Sequence, residues 1–257
     1  MTEPHEVRTP AELFDLSGKV ALVTGGSRGL GRAIVLGYAA AGADVVIASR
    51  KLDACAAVAR EVEALGRRAL PIACHVGHWD ELDALAERSY EHFGRIDVLV
   101  NNAGMSPLAP SSAQTSEELF DKVVAVNFKG PFRLSAVVAE RMAAADGGSV
   151  ISVSSTGALR PSPTFGPYAG SKAALNAISV AFAQEFAPKV RFNVISPGGF
   201  YTDISKEWAV PGRDEPGQLL RRFGYANEIV TAALYYASDA SSYTTGSLLR
   251  VDGLGPV

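Results

Sequence analysis

The chain has 257 residues, with 24 Lys and Arg against 27 Asp and Glu, for a formal net charge of -3. That balance excludes a basic face large enough to dominate binding to nucleic acid, and 47% hydrophobic against 20% charged residues excludes a disordered chain. Only two cysteines occur, Cys55 and Cys74, too few for a disulfide scaffold, so a reducing compartment is expected. Residues 1–15 carry acids and prolines, lack the apolar run of a secretory leader, and read as a loosely attached arm. Residues 19–24 (KVALVT) read as a strand and 30–41 as a helix. Residues 44–49 (DVVIAS) give a second strand, and 52–65 a helix stopped by Gly66. A strand over 68–76 precedes a helix over 81–93 that ends at Gly94. Residues 97–101 form a short strand, and 117–143 read as one long helical region. Then come a strand at 149–154, a helix at 168–186, a strand at 191–195, a helix at 227–238 and a last strand at 248–251.

Apolar strands alternating with helices imply a parallel sheet covered on both faces. Seven strands are counted, and right-handed crossovers then favour a doubly wound sheet in a single α/β domain over residues 16–257. The most apolar stretch, residues 33–48, is broken by Gly42 and Asp44 and falls short of a membrane span. The ending DGLGPV matches no lipidation or retention signal, so a cytoplasmic protein without a membrane partner is expected. Residues 200–217 make one long irregular stretch, rich in aromatic and charged residues, read as a substrate loop.

The first strand runs directly into Thr24-Gly25-Gly26-Ser27-Arg28-Gly29-Leu30-Gly31. Glycines there let the backbone approach a pyrophosphate, and the following helix supplies free N–H groups and a favourable dipole. Strand, glycine loop and helix in that order point to a dinucleotide. The second strand ends in Ser49-Arg50-Lys51, where a site for NAD usually carries an acid. Ser49 does not repel a 2′-phosphate, while Arg50, with Arg28 from the loop, offers planar forks that suit one. NADP(H) is therefore expected, with NAD(H) as the alternative. Tyr168 and Lys172 stand four residues apart, on one face of a helix. An ammonium near a phenol lowers its pKa from the ordinary ~10, which tunes the tyrosine to exchange a proton with a substrate oxygen. Ser152, Ser154 and Ser155 sit at a strand end, where ligands of such sheets bind. The histidines His5, His75, His78 and His92 show no metal-ligand spacing, and no metal is expected.

These motifs together resemble the short-chain dehydrogenase/reductase family, along residues 16–253. The resemblance implies a Rossmann-type fold and a dinucleotide held by Gly25, Ser27, Arg28, Gly29, Leu30 and Gly31. It assigns Asn101-Asn102-Ala103-Gly104 to stabilising the central sheet and lining the adenosine ribose. It places the catalytic Asn at Asn127 and the catalytic Tyr and Lys at Tyr168 and Lys172, the Lys also binding the nicotinamide ribose. The family's catalytic Ser usually lies thirteen residues before the Tyr, which selects Ser155, with Ser154 as the alternative. Pro197-Gly198 matches the family's segment beside the nicotinamide, with Thr202 on the carboxamide. Where the family has an acid after the third strand, this chain has His75-Val76, set against the adenine. The Cys-His-Val-Gly run is similar to NADPH-dependent carbonyl and retinal reductases of that family.

The expected activity is hydride transfer between NADP(H) and a ketone or aldehyde, reversible as alcohol oxidation. Phe200, Tyr201 and Trp208 are expected to shape the substrate side. The alternatives are an NAD-dependent alcohol or hydroxysteroid dehydrogenase and a non-catalytic dinucleotide-binding regulator. The family also implies a homotetramer built through the long helices.

Overall fold

The computed structural model describes residues 8–202, 212, 214–215 and 217–255. Seven strands form one all-parallel sheet: β1 (Val20–Thr24), β2 (Asp44–Ser49), β3 (Ala69–Ala73), β4 (Val98–Asn101), β5 (Gly148–Val153), β6 (Val190–Pro197) and β9 (Leu248–Val251). Their order across the sheet is β3-β2-β1-β4-β5-β6-β9. The chain winds outward from β1 to β3 and then returns to β4 on the other side of β1. That reversal opens a crevice at the carboxyl ends of β1 and β4, where ligands of such sheets bind. A separate pair, β7 (Phe200–Tyr201) with β8 (Gly224–Tyr225), lies beyond β6.

Alternate residues of each strand feed two cores. Ala21 and Val23 of β1, with Val45 and Ile47 of β2, join Ile34, Val35 and Tyr38 of α2 (Gly29–Ala40), Val58 of α3 (Leu52–Ala64) and Tyr236 of α8 (Val230–Ala237). Val20, Leu22 and Val46 point the other way, against Leu82 and Leu85 of α4 (Trp79–Phe93), Leu134 and Val138 of α6 (Gly130–Ala144) and Phe182 of α7 (Gly166–Glu185). Helix α4 stops at Gly94, whose φ of 76° is left-handed and suits glycine. Of the residues before β1, α1 (Pro10–Leu13) is a single turn capped reciprocally by Thr9 and Glu12, with no buried residue.

The helical region expected over residues 117–143 is interrupted. Helix α5 (Glu117–Val124) runs into a π turn at Ala125–Lys129 before α6 begins. The reason is local: Pro131 has no N–H, and the Gly130 N–H reaches back to the Ala125 carbonyl, five residues earlier. A side chain at 130 is forbidden as well, because a Cβ there would stand 1.9 Å from the Val76 carbonyl. The β7–β8 pair was also not foreseen; two-residue strands have no periodicity to read. Among the described residues, no helix is long and apolar enough to cross a membrane.

Candidate active site

Strand β1 ends at Thr24, and the chain turns through Gly25 at φ 66° and Gly29 at φ 54° into α2. A Cβ on Gly31 would lie 2.2 Å from the Gly25 carbonyl oxygen and 2.5 Å from the Asn102 Nδ2. The loop is thus closed on itself so tightly that only hydrogen fits, and bare backbone faces the crevice at the start of α2. That cradle suits a pyrophosphate. Ser27 and Leu30 are half-buried along it, and Leu30 packs on the core.

Asn102 bridges the reversal point of the sheet. Its Nδ2 donates to the carbonyls of Thr24 (2.9 Å) and Gly25 (3.3 Å), joining the ends of β4 and β1. The Thr24 hydroxyl oxygen completes the join by accepting the N–H groups of Asn102 and Ala103, each at 3.1 Å. Thr24 stood inside the glycine motif but was not given this role; its place at the last residue of a strand was the available signal.

At the end of β2, the Ser49 hydroxyl lies 3.1 Å from Cys55 Sγ. Arg28 and Arg50 are exposed, and neither guanidinium makes an ion pair or hydrogen bond among the described residues. His75 follows β3. Its Nδ1 accepts the Gly77 N–H, its ring stacks on His78 at 4.3 Å, and its own N–H donates to Glu81 at 2.6 Å. Burial, then the charges of His78 and Arg50, lower the His75 pKa, with Glu81 opposing. Val76 is buried beside it under Gly130.

Across the crevice, the π turn presents Asn127, fully buried. Its Oδ1 accepts the Met105 N–H (3.0 Å) and its Nδ2 donates to the Met105 carbonyl (2.8 Å). Gly104 sits above it: a Cβ there would be 3.0 Å from Asn127 Oδ1 and 3.5 Å from Lys172 Nζ. Asn127, Gly104 and Lys172 are therefore one cluster. Lys172 is 3% exposed, and its Nζ donates to the Val153 carbonyl at 2.7 Å. Burial lowers its pKa to about 8.

Tyr168 stands one turn before Lys172 on α7. Ser155 is its hydrogen-bonding neighbour and pulls its pKa down, but burial is the larger effect and holds the phenol above its ordinary value. The lowering expected from Lys172 does not appear, because that ammonium is turned onto Val153. Ser155 Oγ also accepts the Gly157 N–H at 3.0 Å, which fixes the hydroxyl. Ser154 differs: it is buried, and its hydroxyl donates to the Lys172 carbonyl at 3.3 Å. Phe165 meets Tyr168 edge-on with ring centroids 6.1 Å apart, a neighbour with no prior signal in the sequence.

The substrate side is mixed. Pro197 closes β6 opposite Val251, and a Cβ on Gly198 would press on Asp252 at 2.7 Å. Thr202 lies beside the phosphate cradle: a Cβ on Gly29 would be 3.6 Å from that of Thr202. Phe200 is 6% exposed and sits in the core under Gly224, a packing position rather than an open wall. Tyr201 is half-buried against Phe223 and Tyr225. Trp208 lies outside the described residues. No group of three metal-ligating side chains occurs among the described residues.

Comparison with known proteins returns one consistent result. A family model described as short chain dehydrogenase matches residues 19–211. A 2-dehydro-3-deoxy-D-gluconate 5-dehydrogenase from Pseudoalteromonas atlantica is 38% identical over 252 residues, covering 94% of this chain and 97% of its own. A 7α-hydroxysteroid dehydrogenase solved with NADH and 7-oxo glycochenodeoxycholic acid is 32% identical, with a TM-score of 0.91, over 97% of this chain and 98% of its own. A 3-oxoacyl-(acyl-carrier-protein) reductase from Agrobacterium tumefaciens, solved with NADP bound, is 31% identical at a TM-score of 0.90, over 97% and 99%.

Proposed function

The chain belongs to the short-chain dehydrogenase/reductase family, and on that premise we propose that it is an NADP(H)-dependent carbonyl reductase acting on a ketone or aldehyde. The observation that carries this is the pairing of Ser155 with Tyr168, one helical turn from buried Lys172, which lies with Asn127 under Gly104. The dinucleotide, when bound, supplies or accepts the hydride.

The residues of the chain then have separate tasks. Gly25, Gly29 and Gly31 hold the pyrophosphate against the start of α2, and Arg50, with Arg28, takes the 2′-phosphate. Both guanidiniums are exposed and unpaired among the described residues, and Ser49 brings no charge to oppose the phosphate. His75 and Val76 flank the adenine, Asn102, Ala103 and Gly104 the ribose, and Pro197, Gly198 and Thr202 the nicotinamide. Ser155 donates a hydrogen bond to the substrate oxygen. Tyr168 gives that oxygen its proton as hydride reaches the carbon, so a carbonyl becomes an alcohol. Lys172 and Asn127, side by side under Gly104, return the proton from solvent. Of the proposed substrate loop over residues 200–217 and the arm over residues 1–15, residues 203–211, 213, 216 and 1–7 lie outside the described residues. The exposed Val180 of α7 and Phe120 of α5 suit burial in a cytoplasmic homotetramer.

The test is Tyr168→Phe, assayed for NADPH oxidation with a panel of ketones and aldehydes. Turnover should fall about 10²–10⁴-fold, with the NADPH dissociation constant within about twofold. Retained turnover would remove Tyr168 from the mechanism. A second reading, NAD-dependent oxidation of a secondary alcohol, draws support from the likeness to the hydroxysteroid dehydrogenase solved with NADH. Tighter binding of NADH than of NADPH would select it.

A further inference from the structure

Among the described residues, only two non-glycine residues have positive φ: Arg221 at 57° and Leu254 at 49°. Side chains adopt that conformation at a cost, and it persists where the surroundings over-determine it. Both residues lie at one junction. After β9 the chain bends at Asp252, whose carboxylate accepts the Leu254 N–H (3.1 Å) and is held by Arg250. Gly253, at φ 58°, carries the bend onward. The Gly253 and Leu254 carbonyls then accept the N–H groups of Leu220 and Leu219, each at 3.3 Å. Those leucines belong to a turn closed on itself. The Glu215 N–H donates to the Arg221 carbonyl (3.0 Å), the Arg221 N–H to the Gln218 carbonyl (2.9 Å), and the Arg221 guanidinium forks onto Asp214.

The other side of this strap, residues 253–255, meets the segment that follows Ser155. Arg160 Nη1 donates to the Gly255 carbonyl at 2.6 Å. Arg160 is five residues beyond Ser155, and its own N–H closes a turn onto the Thr156 carbonyl at 2.9 Å. Residues 253–255 thus lie between the loop that carries Ser155 and the turn containing Leu219 and Leu220.

We propose that Arg160 is a positioning residue for the substrate: by latching the Ser155 loop to residues 253–255, it couples that loop to the turn around Leu219 and Leu220 and sets the spacing of the substrate mouth. The proposal rests on the reading of Ser155 and Tyr168 as the reacting pair. A charged donor on a backbone carbonyl is a strong hydrogen bond, and its loss frees both segments together.

The test uses Arg160→Met, which keeps the stem and removes the donors, and Arg160→Lys, which keeps a cation. With a carbonyl substrate, Arg160→Met should raise KM about tenfold, with kcat and the NADPH dissociation constant within about twofold, and Arg160→Lys should recover part of the loss. Hydrogen exchange on the same variants gives a readout independent of turnover. Arg160→Met should speed exchange at residues 155–160 and also at 217–222, far away in sequence. Faster exchange at 155–160 alone, or a stability loss with KM unchanged, overturns the coupling. Transmitted exchange in a protein that turns over no carbonyl would overturn the proposed activity and leave the latch standing. If Arg160→Met does not fold, Arg160→Gln, which shortens the side chain and removes the charge, carries both measurements: a raised KM with faster exchange at 217–222 supports the latch, and wild-type values for both overturn it.

Discussion

The two sides of the crevice are built from different materials. On the nucleotide side the surface is backbone: Gly25 and Gly31 leave no room for a side chain, Gly29 turns at a φ of 54°, and Asn102 and Thr24 knit the strand ends with four hydrogen bonds. On the substrate side, side chains make the surface. Tyr201, Phe223 and Tyr225 lean on one another, and the strained positions are not glycines but Arg221 and Leu254. A surface made of backbone admits one ligand shape and tolerates little change. A surface made of rings and salt links is remade by each substitution, which is why relatives of similar fold carry names with different substrates.

That contrast is open to breaking, beginning with Gly31→Ala. The added carbon meets a carbonyl oxygen at 2.2 Å and has nowhere to go. Nucleotide binding should be lost, with about 1–3 kcal/mol of stability, by fluorescence titration and denaturant melts. Normal binding would show the cradle to be softer than its geometry. Lys172 comes next. Its pKa of about 8 lies below the free value of 10.5, so between these values the folded protein binds fewer protons than the unfolded chain. Stability contributed by this group therefore rises as pH climbs through that window, and the cost of the buried ammonium is fully present below about pH 8. Relative to Lys172→Met, the wild type should gain about 2–3 kcal/mol of unfolding free energy from pH 7 to pH 10. Parallel curves would remove burial as the source of the shift.

A smaller change is expected at the cradle's rim. Arg50→Ala should cut the preference for NADPH over NADH about tenfold, since it removes a charged fork but no packing. An unaltered ratio would take the 2′-phosphate away from Arg50. The smallest effect is on the substrate side. The Tyr201 hydroxyl is buried with no hydrogen-bond partner among the described residues. Tyr201→Phe should therefore leave stability unchanged or raise it by up to about 1 kcal/mol. A clear loss in the melt would mean that the hydroxyl has a partner after all.

The same division decides what was legible in the sequence. Strand–loop–helix alternation gave the sheet because apolar runs and glycine stops are local signals, and the seven strands form the doubly wound parallel sheet that right-handed crossovers favour. The glycine loop and the Tyr168–Lys172 spacing were readable for the same reason: a few adjacent residues carry the whole constraint. The π turn at Ala125–Lys129 was hidden, because the residues around Pro131 keep a helical pattern while one proline alters the hydrogen-bond register. The state of Tyr168 was hidden too. Its pKa depends on how deeply it is buried, which only the packed fold sets, and on where the Lys172 ammonium points, which is set by the Val153 carbonyl on a strand fifteen residues upstream of the tyrosine. Phe200 looked like a site residue for being an aromatic in a long loop, and only packing against Gly224 reveals it as core. The link from Arg160 to Gly255 spans 95 positions and leaves no local trace.

The bridge that Asn102 makes between β1 and β4 also has a bearing on biosynthesis. The residues proposed to hold the phosphates, adenine and adenosine ribose, from Gly25 through Arg50 and His75 to Gly104, precede the proposed reacting pair Tyr168 and Lys172 in chain order. A nascent chain on the ribosome therefore holds all the residues of its phosphate-binding half while Tyr168 is still untranslated. Strands β5, β6 and β9 then add outward from β4, so the sheet grows from its cofactor side toward its chemical side.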